Sequence, residues 1–87
     1  MSQSNNLCRL EFILSPSIIP FYLFRNSIID MPEVKQLYSY DINNDCQDLV
    51  VVMCTEDNVD TILNHLKADF PDNTIQAYKY PVTEIIL

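Results

Sequence analysis

Residues 49–70, LVVVMCTEDNVDTILNHLKADF, hold the stretch that decides how this chain folds. Its first six residues are nearly continuous in apolar character and β-branched, the pattern of a strand buried on both faces. From Val59 the period changes. Val59, Ile62, Leu63, Leu66 and Phe70 recur at i, i+3, i+4, i+7 and i+11, which reads as the narrow core stripe of an amphipathic helix. Glu56, Asp57 and Asp60 lie at the hand-over. Three carboxylates there could hold a hard cation, but a helix N-terminus favours negative charge in any case, and that reading is preferred. His65 falls off the stripe and is expected in solvent.

The rest of the chain is placed outward from this stretch. Residues 1–6 are a polar tail. In CRLEFIL (8–14), Cys8, Leu10, Phe12 and Leu14 alternate with Arg9, Glu11 and Ile13, so a strand is expected. A helix is expected next, capped by Ser17 with Pro20 as its third residue. Phe21, Tyr22, Phe24, Ile28, Ile29 and Ile18 share its inner face with Arg25 among them, and Ile19 and Leu23 spill outward. Met31-Pro32 ends it. Residues 33–42 read as a second strand with Val34, Tyr38, Tyr40 and Ile42 on one face. NNDCQD (43–48) is a polar turn, PDN follows the second helix, and TIQAYKYPV (74–82) is a fourth strand leading into an apolar TEIIL segment.

The order β-α-β-β-α-β predicts one α+β domain over residues 1–87. It is a ferredoxin-like sandwich, with a four-stranded antiparallel sheet and two helices on one face. The first and third strands are expected to be the central pair, and to run parallel. The uncovered face carries too few polar residues for a monomer in water, so a homo-oligomer is expected to bury it.

Composition narrows the function. The 87 residues carry a net charge of −7, which opposes binding to a phosphate backbone or an anionic membrane surface. With no glycine, no glycine-built phosphate loop exists. No span is long and apolar enough for membrane insertion, and the polar start does not read as a signal peptide. The three cysteines lack a CxxC spacing, so reduced thiols and a cytoplasmic setting are expected. One histidine and no nucleophile–base spacing argue against an enzyme.

Three stretches, LEFILSPSIIPFYLF, VVVMCTEDNVDTILNHLKADFP and TIQAYKYPVTEIIL, resemble the PII-like superfamily of small trimeric proteins. The likeness is greatest to short PII-like proteins encoded beside heavy-metal efflux pumps. It implies a regulatory or signalling homotrimer that senses a ligand, with a membrane transporter or efflux component as partner and a link to metal homeostasis. The loop that nitrogen-regulatory PII proteins extend toward their targets corresponds here to only YDINNDCQD. Their glycine-bearing nucleotide loops have no counterpart. CutA-like divalent-cation-tolerance trimers are similar, and imply copper or zinc.

Asn43, Asn44, Asp45, Cys46 and Asp48 are therefore the candidate ligand or partner loop, with Asp41 beside them; a plain hairpin turn is the competing reading. Cys46, Cys8 and His65 are the candidate metal ligands. With parallel central strands, Cys8 and Cys46 would share one end of the sheet and Cys54 the other. Tyr38, Tyr40, Tyr78 and Tyr80 read as cross-strand aromatic packing or as a stacking platform. An amino-acid-binding module is a further reading, although Ser15 and Pro16 stand where such modules place glycine.

Overall fold

The computed structural model describes residues 6–83, 85 and 86. Four strands, β1 (Leu7–Leu14), β2 (Gln36–Ile42), β3 (Gln47–Thr55) and β4 (Gln76–Pro81), form one sheet in the order β2-β3-β1-β4. Helices α1 (Phe21–Ile28) and α2 (Val59–Asp69) complete an α+β domain, and a single 3-10 turn, Glu56–Asn58, leads into α2. The arrangement is compatible with a ferredoxin-like fold.

Every pairing in the sheet is antiparallel, including that of the two central strands β1 and β3. This corrects the parallel expectation. The crossover through α1 returns β2 in the direction of β1, and the β2–β3 hairpin then reverses the chain, so β3 must oppose β1.

Alternation along the strands divides the sheet cleanly. Cys8, Leu10, Phe12 and Leu14 of β1 and Val50, Val52 and Cys54 of β3 join Phe24 and Ile28 of α1 and Val59, Ile62 and Leu66 of α2 in one buried cluster. Both helices therefore cover the same face. Phe24 is the hub: its ring lies 5.1 Å from that of Phe12 and 6.3 Å from that of Phe70.

The first helix starts later than its sequence suggests. Residues 15–19 form a turn in which the Ile18 and Ile19 amides donate to the Ser15 carbonyl, and Pro20 is extended at φ −61°, ψ 143°. A proline disfavours helical geometry in the residue before it, so α1 begins after Pro20. The shift rotates the outcome. Ile19, expected outside, is buried, whereas Tyr22, expected inside, is 62% exposed.

The β2–β3 turn is the other local feature that sequence chemistry decides. Asn43, Asn44 and Asp45 all have left-handed backbones, at φ 53°, 55° and 66°. In a chain without glycine, asparagine and aspartate are the residues that tolerate this region best.

Candidate functional site

The uncovered face of the sheet is the first functional candidate. Its pairings set out rows from β2 to β4: Gln36–Met53–Arg9–Tyr80, Tyr38–Val51–Glu11–Tyr78 and Tyr40–Leu49–Ile13–Gln76. Both tyrosine pairs lie on this face, but on the two outer strands. They do not pack on each other across strands as the sequence suggested. Tyr38 and Tyr40 instead meet edge-to-face along β2, with ring centroids 5.7 Å apart at 84°. The Tyr78 hydroxyl accepts a hydrogen bond from the Gln76 side chain.

Between the tyrosine pairs, Arg9 and Glu11 form an ion pair at 2.7 Å. Arg9 Nε is buried, with no hydrogen-bond partner among the described residues. Val51 points to this face yet is fully buried by its neighbours. The four tyrosines stay between 38% and 53% exposed, and Leu7 and Val82 extend the apolar surface. The face is thus a band of aromatic and aliphatic side chains around a neutralised charge pair. The ion pair is the part that sequence reasoning missed. Its signal was the i, i+2 spacing of two opposite charges on the outward side of β1.

The candidate loop residues occupy the turn at one end of the sheet. Asn43, Asn44, Asp45 and Cys46 are exposed, and Asp48 is half-buried. The Asn43 side chain donates to Gln47, and Cys46 Sγ lies 3.8 Å from the Asn44 carbonyl. Asp41 and Asp48 pair directly across β2 and β3. Burial, then a side-chain hydrogen bond with Asp41 and its charge, then the charge of Asp45, hold the Asp48 carboxyl above its ordinary value of 3.8.

The candidate metal ligands are not brought together within one chain. Cys8 is buried against the helices. His65 lies on α2 and contacts Asp69 at 3.4 Å. Cys46 sits in the β2–β3 turn. Cys8 pairs directly with Cys54, so these two share one end of the sheet, eight residues or about 26 Å along β3 from Cys46. The expected grouping is thereby reversed, for the same reason that the central strands run antiparallel. Burial, with Cys8 adding to it, pushes the Cys54 thiol up, which suppresses thiolate chemistry there. Among the described residues, no group of three or more His, Cys, Asp or Glu side chains is arranged to hold a metal ion.

Glu56 and Asp57 lie in the 3-10 turn and Asp60 in the first turn of α2. Glu56 also reaches Lys79 of β4 at 3.6 Å. These carboxylates thus have a structural explanation at the helix start and in a tie to the sheet edge. Among the described residues, no helix is long and apolar enough to cross a membrane. Comparison with protein-family models finds no match for this chain, and comparison with curated proteins finds none either.

Proposed function

We propose that this chain is the subunit of a small homo-oligomeric regulatory protein, PII-like in its assembly, that senses a ligand and acts by protein–protein contact. The observation that carries the reading is the tyrosine-framed open face of the sheet. Apolar surface of this continuity is unusual on a monomer and typical of an interface. The Arg9–Glu11 pair is internally neutral, so covering the face buries no net charge. A trimer, with a transporter or efflux component as partner, follows the PII-like resemblance of the sequence. In that arrangement the Asn43–Asp48 turn lies at the rim of the assembly, where a partner would meet it.

Sedimentation at micromolar concentration tests this. The wild-type chain should run as an oligomer, and Tyr38→Asp combined with Tyr78→Asp should convert it to a folded monomer. A wild-type monomer would defeat the proposal.

A further inference from the structure

We propose that the seam between α2 and β4 binds a small amphipathic monocarboxylate, with its hydrocarbon part against Leu63, Phe70 and Ala77 and its carboxylate at Lys67. This adds a ligand class to the sensing role proposed above, but it rests on the opposite face of the sheet from the oligomer contact.

The seam exists because the two elements do not fill it. The residues of β4 on the helix side are Ala77, Lys79 and Pro81, by their pairing with Phe12, Leu10 and Cys8. None is a large apolar side chain that could pack beneath α2. The helix turns Ile62 and Leu66 fully onto the sheet and leaves Leu63 half-buried beside β4. Ala77, Lys79 and Pro81 are all exposed in consequence. A cavity of about 320 Å³ opens there, floored by Phe12 and Ala77 and walled by Leu63, Leu66 and Phe70. A second, of about 250 Å³, continues it along the seam and shares Leu63 and Ala77. The first alone lies in the range of small-ligand sites, roughly 300–1,000 Å³.

The polar groups give the groove a direction. Lys67, Asn73 and Thr74 line one end. Lys67 takes part in none of the ion pairs formed among the described residues, and it stands in the last turn of α2, where a cation is favoured. Asp60 and Lys79 line the other end, and Lys79 is already engaged by Glu56. One free cation, with no arginine beside it, suits a single carboxylate better than a phosphate. Asp60, seven residues or about 10 Å along the helix from Lys67, repels a second negative charge. The occupant is therefore short, apolar along its length and anionic at one end.

Octanoate, with octan-1-ol as its uncharged counterpart, is the probe. In methyl NMR titrations of the full chain, octanoate should shift the Leu63 and Ala77 methyl signals saturably. Octanol should bind about fivefold more weakly, the worth of one partly exposed ion pair. Lys67→Gln should remove that preference while keeping octanol binding. Ala77→Leu should fill the groove and abolish both, with the remaining methyl spectrum showing that the fold is intact. Failure of octanoate to move these methyls at millimolar concentration would overturn the proposal, as would equal binding of octanoate and octanol. The oligomeric state is read separately by sedimentation, so a failure here is distinct from a failure of the assembly.

Discussion

Replacing Asp48 by asparagine should stabilise this protein, although it removes a charged residue from the candidate loop. Asp48 and Asp41 face each other across β2 and β3, and Asp45 adds a third carboxylate nearby. Like charges directly opposite in an antiparallel pair cost about 0.2–1 kcal/mol. Asp41 is exposed and Asp48 half-buried, so solvent screens the pair and a gain of about 0.5 kcal/mol is expected. In a domain of this size that corresponds to about 2–4 °C in melting temperature. Asparagine also supplies an N–H donor to Asp41, which the ionised Asp48 carboxylate lacks.

The pH dependence fixes the sign. The folded-state pKa of Asp48 lies above its ordinary 3.8. The folded protein therefore holds this proton more tightly than the unfolded chain. The penalty is complete above the folded pKa and is relieved as pH falls through it toward 3.8. Urea unfolding of both proteins at one fixed concentration should show the variant more stable near neutral pH, with the gap closing on acidification. A variant no more stable than wild type, or a gap that stays constant with pH, would refute the electrostatic account.

Other expectations test different parts of the structure. Cys46 is exposed while Cys8 and Cys54 are buried, so an aromatic disulfide reagent should modify one thiol rapidly and the other two at least about a hundredfold more slowly, at the rate of local opening. Phe24→Ala should cost about 4 kcal/mol in chemical denaturation, because a fully buried ring that contacts both Phe12 and Phe70 is lost; a loss below about 1 kcal/mol would contradict its central position. Raising ionic strength from low to physiological should tighten association. Each chain carries a net charge of −7, and screening weakens repulsion between copies more than it weakens apolar contact. Sedimentation across a salt series reads this directly.

The faces of β1 and α2 were legible in the sequence because burial imposes its period on side-chain choice. The alternation of Cys8 to Leu14 reappears in the buried cluster, as do Val59, Ile62 and Leu66 of the stripe, with Leu63 and Phe70 packed against it. What periodicity does not carry is direction. The connections carry it: the crossover through α1 followed by the β2–β3 hairpin opposes β3 to β1, and taking the central pair as parallel is what groups Cys8 with Cys46 when its neighbour is Cys54. The start of α1 was missed because a tolerated first-turn proline and a proline that ends a preceding turn look alike; the chain preference imposed on Ile19 decides between them. The tyrosine positions were right by face, but their partners depend on strand order, which sets Tyr38 and Tyr78 at opposite ends of one row. The α2–β4 seam has almost no sequence signal beyond the small side chain of Ala77. It follows from which residues fail to meet.

The central claim is that further copies of this chain cover the open sheet face. A native mass spectrum of the untagged protein at micromolar concentration tests it most directly. The account predicts a dominant species of three 10.1 kDa chains, dispersed by Tyr38→Asp with Tyr78→Asp. A spectrum of monomer alone would contradict it.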